Sequence, residues 1–236
     1  MPFIIAGVIT MIAAALTAFY LPETNKHIGE VRHGKLFDFP KMWHTLFDPQ
    51  VGLTFVITLI FFLAFACAII YGFQPFTMQV LNISTADNAK LFTLFGIVGL
   101  IAQTFLVQWV SKKLGMKKAF SISILFTAIS FVIMYFSRSL GIFVFASVIL
   151  GIFNSIVQTL IPTILSREAD AKSQGTIMGL NASYQSIGMI IGPILGGAVA
   201  SIAVSLPFLI GAILILFCFF LSFYVLRPGV RQESAF

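Results

Sequence analysis

The sequence predicts an all-α polytopic membrane protein with seven transmembrane helices, and three observations carry that prediction. Seven apolar stretches, residues 2–21, 51–73, 91–111, 119–137, 140–165, 174–203 and 205–226, fill almost the whole of the 236-residue chain. Each matches or exceeds the roughly 20 helical residues that cross a hydrocarbon core about 30 Å thick. Charge is scarce: 59% of residues are hydrophobic and 9% charged, at a mean hydropathy of +1.03, against about 25% charged in a soluble domain. The charge that remains is ordered. Of the fourteen Lys and Arg residues, twelve fall in alternate gaps: Lys26, Arg32, Lys35 and Lys41; Lys112, Lys113, Lys117 and Lys118; Arg167 and Lys172; and Arg227 and Arg231. The other side receives only Lys90 and Arg138. Positive loops stay on the cytoplasmic side, so seven crossings place the N-terminus outside and the C-terminus in the cytoplasm, with the chain integral to the plasma membrane.

Taken in order, the first crossing (residues 1–21) opens Met1-Pro2-Phe3 with neither a basic n-region nor a small-residue cleavage pattern. It therefore reads as a membrane helix and not a signal peptide, and as a chain that starts mid-protein. Residues 22–50 form the one substantial extramembrane segment, a cytoplasmic loop. Within it Phe39, Met42, Trp43, Leu46 and Phe47 recur at helical spacing with Lys41 and His44 between them. That pattern fits a short amphipathic helix at the membrane surface, and equally an irregular loop with a few buried aromatics. Asp48-Pro49 offers an N-cap and a first-turn proline to the second crossing. This crossing ends in Tyr71-Gly72-Phe73-Gln74-Pro75, where glycine and proline break the helix as a plain terminus or an outer gate. Ser84, with Asp87 three residues on, resembles a capping box opening the third crossing. The outer gaps, residues 74–90, 138–139 and the turn near Ser205, leave no room for a folded outer domain. Residues 51–226 thus form a six-helix block, and 227–236 a cytoplasmic tail.

A net charge of +6 in a soluble protein would suggest nucleic acid. Here short-loop topology and anionic lipid headgroups account for the basic residues, and no nucleic-acid partner is expected. Cys67 and Cys218 lie inside apolar stretches without metal-ligand or disulfide spacing, and His27, His33 and His44 all fall in the first loop, so no metal or cofactor site is expected. No nucleophile or acid–base pair is visible, so the chain does not read as an enzyme.

Candidate chemistry is confined to uncharged polar side chains. No Asp, Glu, Lys or Arg lies in the interior of a crossing, where one would mark a proton relay or ion path. On the fifth crossing Ser147, Gly151, Asn154 and Gln158 recur at helical spacing on one stripe, as a cavity wall or as interhelical hydrogen bonds. On the sixth, Asn181, Gln185, Gly188, Gly192 and Gly196 share a face, with Pro193 and Gly197 beside them. Glycines at four-residue spacing let two backbones touch, and Pro193 removes a helical hydrogen bond and invites a kink. Gly96, Gly99 and Gln103 make a shorter stripe on the third crossing. The candidate substrate cavity is therefore Tyr71, Gln74, Gln103, Asn154, Gln158, Asn181 and Gln185, with Gly188, Gly192, Pro193, Gly196 and Gly197 as a packing and kink element. Twenty-seven phenylalanines suit lipophilic ligands, although most must face lipid or neighbouring helices.

The order of these parts, a helix ending Tyr20-Leu21-Pro22-Glu23-Thr24, a basic central loop and six helices, resembles the C-terminal half of a major facilitator superfamily transporter preceded by its sixth helix. Gly175 to Gly197 is similar to the eleventh helix of twelve-helix drug:proton antiporters of the multidrug and tetracycline exporter type. Its Gly188-x-x-x-Gly192-Pro193-x-x-Gly196-Gly197 echoes the antiporter motif those proteins carry on the fifth helix. The resemblance implies parallel six-helix halves around a midplane site, a small-molecule substrate, protons as coupling ion, and a missing N-terminal half that holds the coupling acids. Lys113-Leu114-Gly115-Met116-Lys117-Lys118 preserves the family's basic turn between helices eight and nine. Gln108 and Lys112, however, stand where the motif has glycine and aspartate. A lysine cannot latch onto a helix N-terminus as that acid does, so the latch is not carried over.

Two other readings compete with an exporter: a seven-helix receptor with its N-terminus outside, and an inert remnant of a truncated transporter. Against the receptor, no Asp-Arg-Tyr follows the third crossing and no Asn-Pro-x-x-Tyr lies in the seventh. The charge bias generates a topology test. In intact cells a membrane-impermeant thiol reagent should label a cysteine placed at Asn82 or Ser139 and spare one at Lys35 or Lys117; the reverse pattern overturns the orientation.

Overall fold

The computed structural model describes residues 2–20, 39–49, 51–169 and 173–225, and every regular element among them is helical. Two compact units make up the chain, Met1–Asp38 and Phe39–Phe236. The first holds α1 (Pro2–Tyr20). The second holds the short α2 (Phe39–Leu46), then α3 (Gly52–Phe65) and α4 (Phe73–Gln79) joined by a π-helical segment, Ala66–Gly72. Next come α5 (Thr85–Ile101) and α6 (Val107–Leu114), joined by a second π segment, Ala102–Leu106. Four unbroken helices complete it: α7 (Met116–Phe136), α8 (Leu140–Glu168), α9 (Gln174–Ala200) and α10 (Leu206–Ser222). Six helical stretches are long and apolar enough to cross a membrane, and α10 is a shorter apolar helix. The basic segment of residues 22–38, Lys172 and the tail from residue 227 lie outside the described residues.

Local chemistry explains where these elements begin. Ser84 caps α5 with an extended backbone, its hydroxyl accepting from the Asp87 N–H at 3.1 Å and donating to the Asp87 carboxylate at 2.8 Å. Lys90 pairs with the same carboxylate at 2.7 Å. The third crossing therefore starts at Thr85, six residues before its apolar run. Asp48 accepts the Val51 N–H at 3.3 Å, as an N-cap does, while α3 proper opens at Gly52. Gly115 joins α6 to α7 at φ +79° and ψ 151°, backbone that glycine adopts without strain.

The second crossing departs from its sequence pattern. Gly72 and Pro75 do not end it: the helix continues through the π segment to Gln79. Pro75 sits inside this continuous helix directly after the π segment, where it removes one main-chain donor without ending the helix. Pro162 and Pro193 likewise sit inside uninterrupted helices.

Packing is organised by α3 and α7. α3 lies against α9 and α10, α7 against α8 and α10, and α5 against α8. The contact of α9 with α3 and the π segment that follows it is backbone to backbone. A Cβ added to Gly188 would meet the Leu59 carbonyl oxygen at 2.7 Å, one on Gly192 the Leu63 carbonyl oxygen at 2.7 Å, and one on Gly196 the Cys67 carbonyl oxygen at 2.8 Å. Phe73, Phe76, Phe143 and Phe208 form a buried aromatic knot where α4, α8 and α10 meet, with centroids 5.0–5.5 Å apart for the Phe73–Phe143, Phe76–Phe143 and Phe76–Phe208 pairs. Ser222 donates to Ser121 at 2.7 Å, tying α10 to α7. The seam generates a stability test. Gly192→Leu must force two backbones apart and should cost at least the 1–3 kcal/mol typical of overpacking, read as lost folded protein in membranes. Gly141→Ala, with nothing within 4 Å of the new methyl, should leave abundance unchanged.

Candidate functional site

The third and fifth crossings build a cavity because small residues draw them together at one level. A Cβ on Gly99 would lie 3.0 Å from Ser155 Oγ, and one on Gly151 3.2 Å from the Val98 side chain. Beside this approach a cavity of about 700 Å³ opens between the two helices. Gln103 lines it from the π segment of one wall, and Asn154 and Gln158 from α8 on the other, with Phe95 and Leu100 supplying apolar surface. Ser155, Thr159, Pro162 and Thr163 complete the α8 side.

A donor and acceptor account shows what this wall offers. The hydroxyls of Ser155, Thr159 and Thr163 each donate to the carbonyl four residues back, at 2.8, 2.9 and 2.8 Å, so their free lone pairs are left as acceptors. Pro162 has no N–H to give to the carbonyl of Gln158, one turn earlier. Asn154, only 3% exposed, keeps an Oδ1 with no hydrogen-bond partner. An unpaired buried acceptor costs about 1–3 kcal/mol. Gln103 and Gln158 are exposed to the cavity and supply amide donors as well as acceptors. The lining holds no charged side chain.

The other sequence candidates separate from this cluster. Asn181 is buried against α3, where its Oδ1 lies 3.4 Å from Thr58 Oγ1, and it is not among the residues that line the α5–α8 cavity. Gln185 is half-buried one turn further along α9 and outside the cavity lining. Tyr71 lays its ring over Gly197, 3.4 Å from where a Cβ would stand, and Gln74 is exposed with its amide 3.9 Å from Met78 Sδ. Neither reaches Gln103 or Asn154 in the lining. Ser147 is buried and donates to its own helix at the Phe143 carbonyl. Sequence reading passed over Ser155, Thr159 and Thr163, although their four-residue spacing beside Asn154 and Gln158 is the signal that would have found them. It also passed over two contacts at the basic end of the bundle. Thr54 Oγ1 donates to Glu168 at 2.9 Å, linking the start of α3 to the end of α8. Tyr184, its ring 4.9 Å from that of Phe55, donates to the Met42 carbonyl at 2.5 Å and ties α9 to α2.

Membrane-length helices, two of which enclose a neutral polar cavity, define a polytopic α-helical membrane protein. Residues 56–236 match the Major Facilitator Superfamily, and the chain belongs to that family. It is 28% identical over 214 residues to multidrug resistance protein 2 of Bacillus subtilis, covering 89% of this chain and 52% of that protein. It is 26% identical over 228 residues to the class C tetracycline resistance protein of Escherichia coli, covering 92% and 56%. The chain thus spans about half the length of these relatives. A crystal structure of the human organic anion transporter MFSD10 (TETRAN) matches with a TM-score of 0.68 at 19% identity, over 73% of this chain and 40% of that one, which shows the shared fold. The family leaves the receptor reading without support.

The unpaired acceptor generates a prediction of opposite sign for stability and function. Asn154→Leu removes a buried polar atom that nothing satisfies. It should leave thermal stability in detergent unchanged or raise it by about 1 kcal/mol, while weakening any ligand that binds the cavity. A large loss of stability would show that Asn154 is a structural partner.

Proposed function

We propose that this chain forms the C-terminal half, with the preceding sixth helix, of a proton-coupled exporter of lipophilic small molecules, and that substrate rests against Gln103, Asn154 and Gln158. The observation that carries this reading is the uncharged, acceptor-rich wall between α5 and α8, in a family whose similar members are named for multidrug and tetracycline resistance. Such a wall favours apolar molecules that carry hydrogen-bond donors: the aromatic and aliphatic surface holds the body, and Asn154 Oδ1 and the hydroxyl lone pairs take the donors. With no acid in the lining, proton coupling falls to carboxylates of a complementary N-terminal half, the partner this reading requires. The basic loops face the cytoplasm, and no enzymatic step is involved.

Two measurements test it. Reconstituted alone into vesicles, the chain should drive no pH-gradient-dependent dye movement; robust flux would show that it carries its own coupling machinery. In the full-length transporter, Asn154→Ala or Gln158→Ala should change the ranking of exported compounds at unchanged membrane abundance. The greatest loss should fall on donor-bearing substrates, by about tenfold for one hydrogen bond to an otherwise unpaired group. An unaltered export profile across all compounds sinks the cavity assignment.

A further inference from the structure

The cavity between α5 and α8 stops along α5 where its glycines stop. Gly96 and Gly99 line it, and a Cβ added to Gly96 would meet nothing within 4 Å, so the face is open at that level. Phe92 stands four residues before Gly96 and seven before Gly99, within the same uninterrupted α-helix. At about 100° per residue it falls between the two glycines around the helix, and so continues the face that lines the cavity. Its ring lies 4.7 Å from that of Phe73 on α4, and Phe73 packs in turn on Phe143 of α8 at 5.0 Å. Three rings thus close the space about 6 Å beyond Gly96, one helical turn.

Beyond this partition lies a polar group that the fold leaves unused. Asn88, one turn further along the same face, is 3% exposed, and neither its amide nitrogen nor its oxygen has a hydrogen-bond partner. A helical side chain leans over the turn that precedes it, so the Phe92 ring lies over the turn that carries Asn88. Gly99 faces Ser155 and Phe95 faces Gly151, so α5 and α8 run parallel and Asn154 stands near the level of Gly99. Asn88 is then about 16 Å from that level at 1.5 Å per residue.

We propose that Phe92 is a specificity-determining residue that sets the longest substrate the cavity accepts, with the Asn88 amide behind it as a polar subsite that longer molecules meet when the ring is removed. The inference rests on the exporter reading and adds a length limit to it. The molecules admitted have one polar end on Asn154 and Gln158 and an apolar body that stops at the Phe92 ring. Those with polar groups at both ends, about 16 Å apart, are excluded by a clash with that ring.

A graded series of dansyl amides with ω-hydroxyalkyl chains, and methyl-ended members as controls, reads the limit. Affinity for the protein in nanodiscs is taken from the saturable change in dansyl fluorescence. For the unsubstituted protein it should rise with chain length and fall once the chain meets Phe92. Phe92→Ala should move that turning point to chains about 6 Å longer; the ring is 43% exposed, so its loss does not empty the core. Gly96→Leu, which fills the open space, should move it to shorter chains. With Phe92→Ala in place, Asn88→Leu should weaken the longest hydroxyl-ended amides about tenfold and leave the methyl-ended ones unchanged. An equal effect on both kinds of chain overturns the subsite. Binding that depends on Asn154 but keeps its turning point in Phe92→Ala and Gly96→Leu overturns the length limit alone. Absence of binding, or binding indifferent to Asn154→Leu, overturns the cavity reading and the length limit with it.

Discussion

The bundle depends on the backbone contact between α9 and α3. Inside a membrane, apolar side chains gain nothing by leaving lipid for protein, so helices are held by close packing and hydrogen bonds. Gly188, Gly192 and Gly196 bring two main chains within van der Waals reach over three turns. The polar contacts of the same interface follow from that proximity. Asn181 can reach Thr58 because the helices are already close, and Tyr184 can reach past Phe55 to the Met42 carbonyl. From this seam the principal contacts pass from α3 to α10, α7, α8 and α5 in turn. The cavity between α5 and α8 lies at the far end of that series, away from the glycines.

Two asparagines on neighbouring helices show how environment assigns a role. Both are nearly inaccessible, Asn154 at 3% and Asn181 at 6%. Asn181 accepts a hydrogen bond from an adjacent helix and contributes to assembly, in the range of about 0.6 kcal/mol typical of such pairs. Asn154 has an oxygen that no neighbour satisfies. Asn88, Ser111 and Ser123 also keep buried polar atoms without partners, but of these residues Asn154 alone belongs to the cavity wall. The phenylalanines divide similarly: Phe73, Phe76, Phe143 and Phe208 interlock in the core, while Phe95 lines the cavity.

The fold was legible because a bilayer restricts the alternatives: a polar-poor run of twenty residues has to be a helix, and the number and order of the crossings could be read from Pro2 to Ser222. Boundaries were less visible. The cap at Ser84 extends α5 through Asp87 and Lys90, residues too polar to look like membrane helix, and the π segment carries α4 past Gly72 and Pro75. The pairing of Asn154 with Gln158 on one wall followed from helical spacing, and Gln103 opposite them was visible as a stripe of its own. What spacing could not reveal is which helix each stripe faces. Asn181, Gln185, Tyr71 and Gln74 carry the same polar signature but stand outside the lining of the space between α5 and α8. The same limit hid Thr54 and Glu168, which lie far apart in the chain and meet only when α3 and α8 are assembled.

The π segment in the second crossing has a consequence for how this helix can evolve. A π turn holds more residues than an α turn, and each residue added to or removed from a helix rotates everything beyond it by about 100°. Ala66–Gly72 therefore sets the azimuth of α4 independently of α3. Upstream, the helix presents Leu59 and Leu63 main chain to the glycines of α9; downstream, it presents Phe73 and Phe76 to Phe143 and Phe208. One straight α-helix could hold only one of these registrations. Loss of a single residue between Ala66 and Gly72 would swing both phenylalanines off their partners and disturb the Gly196 contact at the Cys67 carbonyl, so the length of this stretch is held from both sides.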